Sequence, residues 1–346
     1  MMIVRHATQA DADAILWLAE QTGAGFTSLA PDRDSIVRRI EEAETTRRGE
    51  PAPEQPGNHF FVMEDVTAGA IVGTSGIVTG VGVNKPFYSY RLLHISQESR
   101  EPGIRVDTDL LNLSNDFMGA SEVGTLFLAP DYRQGNNGRL LSKARYMFVA
   151  AHPERVADQL IAEIRGYNDD DHRSPFWEAI GRHFFSMDFE QADRINGLGN
   201  SQFIADLMPK FPIYVSLLPQ EAQDVIGVPH DQAKGAIALL KREGFRFSGA
   251  VDIFDAGPTM QVHRKGIWTA RKSRAGRLAG TVDGPGKAAP MLVANPDMEN
   301  FRVTLASLAD TDSGVYLPTA AARALDLAPG DPVRFAPVDR AQLKAR

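Results

Sequence analysis

Residues Gly124–Arg145, GTLFLAPDYRQGNNGRLLSKAR, decide how this chain is read. Gly124–Leu128 is a short apolar run with Thr and Phe, the composition of a buried strand. Ala129-Pro130-Asp131 ends it, because proline has no N–H to give a sheet ladder. Arg133–Gly138, RQGNNG, offers small residues or residues tolerant of positive φ at four of its six positions. Leu140, Leu141, Ala144 and Met147 then recur at helical spacing. A loop of this kind at a helix start presents backbone N–H groups, and the helix dipole favours anions there. Arg133, Gln134, Gly135, Asn136, Asn137 and Gly138 therefore read as a phosphate cradle. Lys143 and Arg145, further along the helix, either add positive charge to it or face solvent.

Around this stretch, 346 residues suffice for one large domain or two ordinary ones. There is no cysteine, so disulfides, thiolate ligands and a cysteine nucleophile are excluded. The N-terminus, MMIVRHATQADAD, lacks the apolar core of a signal peptide, and no apolar run is long enough to span a bilayer; a cytoplasmic protein is expected. Lys and Arg number 37 against 44 Asp and Glu, a net charge of −7. No long basic run points to nucleic acid. Arg271–Arg274, RKSR, is the densest basic cluster and reads as a solvated loop.

The hydrophobic periodicities give an α/β order. Ile3–Arg5 is a strand, Asp11 or Asp13 caps a helix, and Asp32–Arg48 is a charged amphipathic helix with Ile36, Val37 and Ile40 inward. Phe60–Glu64 and Gly69–Gly80 read as paired strands. His94–Arg105 is polar and exposed. Leu160–Arg165, LIAEIR, alternates as a strand, and Pro175–His183 is a short helix, with His183 packed or half-buried. Asn200–Met208 and Pro219–Ile226 read as helices. Asp231–Arg242 is an amphipathic helix closed by Gly244, and Phe245–Phe254 is a strand. Gly276–Pro290 reads as a loop, while Phe301–Leu317 and Asp331–Phe335 favour β structure.

The loop RQGNNG resembles the pyrophosphate-binding segment of GNAT-type acyl-CoA N-acyltransferases, Gln/Arg-x-x-Gly-x-Gly/Ala between a core strand and a helix. Asn136 stands where the first glycine is usual, a mild departure because asparagine tolerates positive φ. Nearly end to end, the chain is similar to the arginine N-succinyltransferase family. The resemblance is carried by Thr22–Leu29 (TGAGFTSL), Leu113–Asp116 (LSND), Glu122–Leu128 (EVGTLFL), Ala162–Gly166 (AEIRG), Ser174–Trp177 (SPFW), Glu221–Gly227 (EAQDVIG) with His230, and Val251–Thr259 (VDIFDAGPT). Two positions depart from it: His172 stands where a glycine is usual, and Asp170 where glutamate is common.

The resemblance implies a GNAT-like mixed sheet flanked by helices over residues 1–190. Residues 191–346 would form a second, degenerate acyltransferase-like half with a β-rich C-terminal segment. It implies transfer of succinyl from succinyl-CoA, a co-substrate and not a bound cofactor, to the α-amino group of L-arginine, the first step of arginine catabolism by the succinyltransferase route. Relatives that work as paired subunits imply a homo- or hetero-oligomer. Neither nucleic acid nor membrane is an expected partner.

Amine attack on a thioester requires loss of the ammonium proton, donors for the oxyanion, and a proton for the leaving sulfur. His230, in VPHDQAKGAIALL, lies at a helix start, where the dipole disfavours an imidazolium. Spacing alone leaves it either closing a loop or exchanging protons; the resemblance implies the catalytic acid/base. It also implies a succinyl-CoA contact at Leu126, through the main chain, with Leu128 beside it, on a core strand that splays from its neighbour. Arg91 and Arg165 are the cations considered for the succinyl carboxylate. Glu163, Glu122, Asp116 and Glu221 are candidates for the guanidinium, the first three preferred. His6, His59, His94, His152 and His263 show no ligand spacing, so no metal is expected. Two alternatives remain open. One is an enzyme for ornithine or another basic amine; the other is a weakly catalytic subunit sensing CoA esters or arginine. Retention of RQGNNG together with His230 argues against the second.

Overall fold

A computed structural model describes all residues except 23–26, 170, 172, 190, 193–194, 196–201, 285, 287 and 344–346. The chain opens with β1 (Met2–His6), α1 (Ala12–Glu20), α2 (Arg33–Arg48), β2 (Gly57–Asp65) and β3 (Ala70–Thr79). A long hairpin, β4 (Ser89–Ser99) and β5 (Ile104–Ser114), precedes β6 (Ser121–Leu128), α3 (Asn137–Ala151) and β7 (Gln159–Glu163). Short elements follow: α4 (Pro175–Ala179), α5 (Gly181–Phe185), α6 (Gln202–Leu207), β8 (Ile213–Tyr214) and α7 (Gln220–Asp224). Next come α8 (Lys234–Glu243), β9 (Arg246–Asp252), β10 (Pro258–His263) and α9 (Trp268–Lys272). The C-terminal segment is β11 (Arg274–Val282), β12 (Met291–Asn295), β13 (Arg302–Ala306), β14 (Ala309–Thr311), β15 (Gly314–Pro318), α10 (Thr319–Ala324) and β16 (Pro332–Pro337).

The strands form one mixed sheet in the order β14-β15-β11-β16-β12-β13-β1-β2-β3-β6-β7-β10-β9-β4-β5-β8. The α/β class with a β-rich C-terminal segment is as the sequence predicts. Strands from both sides of residue 190 interleave, since β10 and β9 lie between β7 and β4. Helix α2 starts where Asp32 accepts the Ser35 N–H at 2.9 Å, and its buried Ile36 and Ile40 face the sheet. Gly244, at φ +103°, ends α8 and turns the chain into β9.

Helix α3 lies at the centre of the core. Its Leu140, Leu141, Ala144, Met147 and Phe148 pack with Val4, Phe61, Leu160, Phe301 and Val303. His6 and His59 belong to this packing: His6 stacks on Phe61 at 5.1 Å and His59 lies 4.6 Å from the Phe148 ring. Burial pushes both imidazoles down to about 3, so they are neutral core groups. Among the described residues, no three His, Cys, Asp or Glu side chains group as a metal site, and no helix is long and apolar enough to cross a membrane.

Four readings are corrected. Lys143 and Arg145 are neither solvated nor part of the phosphate loop: both are buried, because α9 and the C-terminal strands cover the outer side of α3. His183 is exposed on a five-residue helix too short to bury a second face. Within Gly276–Pro290, Arg274–Val282 is strand β11, held between β15 and β16 with Leu278 in the core. Arg271 and Lys272 lie in the last turn of α9 rather than in a loop.

Candidate functional site

The site opens where two neighbouring strands part. Strands β6 and β7 are parallel and pair only at Ser121↔Leu160 and Glu122↔Ile161. A bulge drives the separation. Between Phe127↔Thr74 and Gly124↔Gly76, β6 advances three residues while β3 advances two. Thr125 takes up the excess at φ +54°. Two bonds hold this unfavourable conformation: Thr74 Oγ1 donates to the Thr125 carbonyl at 2.9 Å, and Arg39 donates to Thr125 Oγ1 at 2.7 Å. Leu126 follows the bulge on the edge that β7 has left, half-buried, and Leu128 lies deeper.

Beyond Leu128 the chain enters the phosphate loop. Gly135 sits at φ +57°, and Asn136 precedes the first helical residue of α3. Among the described residues, no backbone carbonyl accepts from the amides of Gly135, Asn136, Gly138 or Arg139. These are the donors a helix start offers to an anion. A Cβ at Gly138 would meet nothing within 4 Å, so the loop is open in front of them. Several side chains shape the loop rather than face a ligand. Arg133 Nε donates back to the Leu128 carbonyl at 2.8 Å, Asn137 donates to Tyr132 at 3.0 Å, and Gln134 donates to Asp131 at 3.4 Å. Arg139, which the sequence reading passed over, holds Asn136 Oδ1 at 3.0 Å.

The other lip is built from distant segments. The Gly166 N–H donates to Asp255 Oδ2 at 2.7 Å on the β10 side. In the same trans peptide, the Arg165 carbonyl must point the opposite way, and it accepts the His230 N–H at 2.9 Å. Gly166 and Pro229 form a bridge there. The segment Pro229–His230 therefore sits on the edge of β7 that β6 has left. By the parallel register, Leu126 lies four residues beyond Glu122 and Arg165 four beyond Ile161. The bulge at Thr125 takes up one of those residues on β6, so Leu126 and Arg165, the partner of His230, both lie in the stretch beyond the last paired residues.

His230 caps the single turn Asp231–Ala233 ahead of α8, and its Nδ1 accepts the Gln232 N–H at 3.2 Å. A ring that accepts at Nδ1 carries its proton, when neutral, on Nε2. That tautomer presents an N–H at Nε2.

Asp255 secures this lip. Its second oxygen accepts the Gly257 N–H at 2.8 Å, and Asp252 accepts from Phe254 and Asp255 amides at 2.7 and 2.9 Å. Burial raises both carboxyls, and for Asp255 the neighbouring Asp252 charge adds to it. Only glycine fits beside them: a Cβ on Gly257 would stand 2.0 Å from the Ile164 carbonyl oxygen, and one on Gly166 2.2 Å from the Asp255 carbonyl oxygen. Asn168, two residues on, is buried, and among the described residues neither of its amide atoms has a hydrogen-bond partner. No spacing signal marks Asp255 or Asn168, although Asp255 lies in the block VDIFDAGPT.

The predicted acidic residues do not all converge. Glu163 is half-buried on β7, opposite Thr259 and two residues before Arg165. Glu122 stands where the cleft begins, facing Arg39; burial raises this carboxyl and lowers the guanidinium to about 10. Asp116 is exposed and already paired with Arg91, which also donates to the Ser248 carbonyl at 2.5 Å. Glu221 is exposed in the first turn of α7. Asp170 and His172 lie outside the described residues.

Similarity to known proteins covers the whole arrangement. The family described as arginine N-succinyltransferase beta subunit matches residues 2–269, and its C-terminal domain matches residues 274–337. Proteins named arginine N-succinyltransferase from Escherichia coli O139:H28 and from Shigella flexneri are each 42% identical over 335 residues, 97% of either chain. The solved arginine/ornithine succinyltransferase subunit AI from Pseudomonas aeruginosa superposes with a TM-score of 0.88 at 34% identity, covering 98% of this chain and 99% of that one. With the parted strands, the open amide loop and these matches together, the chain belongs to the arginine N-succinyltransferase family and is an acyltransferase.

Proposed function

We propose that the protein transfers the succinyl group of succinyl-CoA to the α-amino group of L-arginine, giving N2-succinyl-L-arginine and CoA, as the first step of arginine catabolism. One observation supports this reading: the His230 N–H bonds the Arg165 carbonyl just past β7, where β6 and β7 have parted beyond Glu122 and Ile161. In this reading residues 1–190 supply the acyl-CoA cradle and residues 191–346 bring the histidine. The loop amides of Gly135, Asn136, Gly138 and Arg139 hold the diphosphate, and Arg133, Gln134 and Asn137 fix the loop. The pantetheine arm runs along Leu128 and Leu126, where sheet-like bonds to the free strand edge align it.

The amine nitrogen attacks the thioester carbon, the C–S bond breaks, and sulfur leaves with the electron pair. The neutral His230 ring first takes the proton that the attacking amine sheds, at the Nδ1 released by the Gln232 amide, and the imidazolium so formed delivers its Nε2 proton to the leaving sulfur, which returns the ring to neutral. Among the acidic candidates, Glu163 is the best placed for the guanidinium, because it shares the lip that carries His230. Glu122 faces Arg39 and Asp116 is paired with Arg91. Ornithine is the second acceptor to test, since the Pseudomonas aeruginosa protein is titled for both amino acids. The Pseudomonas aeruginosa protein is also described as a subunit, which supports an oligomer here, and the reading is of a cytoplasmic enzyme. Mixing the protein with succinyl-CoA or acetyl-CoA and arginine, ornithine or lysine, and following free thiol, tests the whole. Succinyl-CoA with arginine is expected to be fastest; no thiol release with any pair would overturn it.

A further inference from the structure

Beyond its base, the hairpin β4–β5 stands clear of the rest of the sheet. Strand β9 pairs with β4 only at Ser89–Arg91, and β8 pairs with β5 only at Leu110 and Leu111. Past those rows, among the described residues, the two strands have only each other for ladder partners, out to Ser99↔Ile104. Residues directly opposite in an antiparallel pair share a face, and the faces alternate along each strand. One face carries His94 opposite Asp109, Ser96 opposite Asp107 and Glu98 opposite Arg105, with His94 Nδ1 2.8 Å from the Asp109 carboxylate. That face is polar and solvated. The other carries Leu93 opposite Leu110, Ile95 opposite Thr108, Gln97 opposite Val106 and Ser99 opposite Ile104. It holds five aliphatic side chains and no charge, yet its own chain leaves it open: Ile104 is 55% and Val106 48% exposed, and Leu93 is exposed as well. Tyr214 on β8, opposite Leu110, extends the same face and is exposed. The turn Val215–Leu217 lies against β5, with the Thr108 hydroxyl 3.2 Å from that of Ser216, and its Leu217 is 81% exposed.

Alternation of this kind marks a sheet with one face in water and one face covered, and a contiguous exposed apolar patch marks a contact surface. We propose that a second copy of this chain covers the apolar face, the two hairpins meeting face to face about a twofold axis. Charge selects that occupant. Each copy carries −7, so two copies meet with least repulsion through a patch without charge, and this face has none. A basic partner would be drawn instead to the opposite face, where Glu98, Asp107 and Asp109 outnumber Arg105. Size agrees. Leu92–Ser99 and Ile104–Leu111 each span about 27 Å, about 4.8 Å apart. With Tyr214 and Leu217 added from each copy, the pair would bury roughly 1,200 Å² in total, the lower end of stable association. A twofold pair requires only a surface that complements itself, which an uncharged aliphatic ribbon supplies. This inference gives the oligomer reading above its surface and rests on that reading.

Analytical ultracentrifugation of the wild type and of the double variant Ile104→Glu/Val106→Glu tests it. Both positions are exposed in the single chain, so the variant should keep its unfolding midpoint and its thiol release per chain. The wild type should sediment as a dimer or larger assembly. The variant should lose one association step, its dissociation constant rising at least about a hundredfold, because each copy brings two carboxylates against apolar surface. A wild type that stays monomeric at about 100 μM, far above the range of specific association, overturns the oligomer reading and this surface together. A variant that associates as tightly as the wild type overturns the surface alone. Should the variant unfold, single cysteines decide, since the chain has none of its own. Val106→Cys, on the apolar face, should be joined between copies by a bismaleimide, and Asp107→Cys, on the polar face, should not; equal yields, or the reverse order, overturn the proposal.

Discussion

The two lips of the cleft are made in opposite ways. One is a continuous stretch: the bulge at Thr125, the edge at Leu126 and Leu128, and the loop to Arg139 all fall within fifteen residues. The other is assembled from Ile164–Gly166, Pro229–His230 and Asp255–Gly257, joined by two hydrogen bonds of 2.7 and 2.9 Å. In the proposed reading the first lip would bind through main-chain amides, and the second would hold the reactive ring through contacts that depend on distant segments meeting. Damage to the first lip should therefore appear as weakened donor binding, and damage to the second as lost turnover or lost stability.

The sharpest separation is at His230. His230→Ala should lower kcat roughly 10²- to 10⁴-fold, the usual worth of a positioned acid or base, with the KM for succinyl-CoA little changed. Steady-state thiol release from pH 6 to 9 measures it, and wild-type turnover across that range would remove the histidine from the chemistry. Next in size is Gly257→Ala. Its new Cβ cannot coexist with the Ile164 carbonyl, so the lip must open; a stability loss of about 1–3 kcal/mol is expected by denaturant titration, together with reduced kcat. An unchanged unfolding midpoint would show that this lip is softer than its contacts imply.

The first lip offers a cleaner case. At Gly138 there is room for a side chain in the protein itself. Gly138→Val should leave the unfolding midpoint within a degree or two, since no packing is disturbed, yet raise the KM for succinyl-CoA about tenfold, one step of 1.4 kcal/mol. Equal effects on arginine KM and donor KM would place the loop elsewhere in the reaction.

The smallest effect is a pH dependence. Asp255 titrates well above its usual range in the folded protein because of burial and Asp252. A carboxyl raised on folding stabilises the native state at low pH, and that contribution fades as pH rises from about 4 through the folded value, by at most about 1.4 kcal/mol per pH unit. Asp255→Asn removes the slope but leaves one backbone N–H facing an amide NH2. The variant should be less stable than wild type, most so near pH 4, with the gap narrowing toward pH 8. Urea titrations at several pH values check it; a gap that widens with pH would mean that Asp255 is ionised in the fold.

Much of the first lip was legible because its signals are local. A strand run, a proline stop, small residues and helical spacing all lie within Gly124–Met147, and the loop and helix appear at those positions. His230 was legible from the resemblance and from its place before Asp231–Arg242. The bulge was not, since nothing in EVGTLFL marks Thr125 for positive φ; that follows from Thr74 and Arg39, at least fifty residues away. Lys143 and Arg145 were misjudged for the same reason, because their helix is covered by the helix Trp268–Lys272 and by the C-terminal strands, all more than a hundred residues on. Arg39 facing Glu122, and Arg91 facing Asp116, likewise needed coordinates, since charge type says nothing of who sits opposite.

Periodicity and chain punctuation sufficed for the α/β class and for the strand, open loop and helix of Gly124–Met147, because each is set by interactions among near neighbours. Which edge His230 occupies, which carboxylates are already compensated, and how Asp255 ties two strand ends together arose only on packing. Those outcomes depend on peptide groups and charges brought within 3 Å from positions up to ninety residues apart, a proximity that sheet order creates and no local pattern encodes.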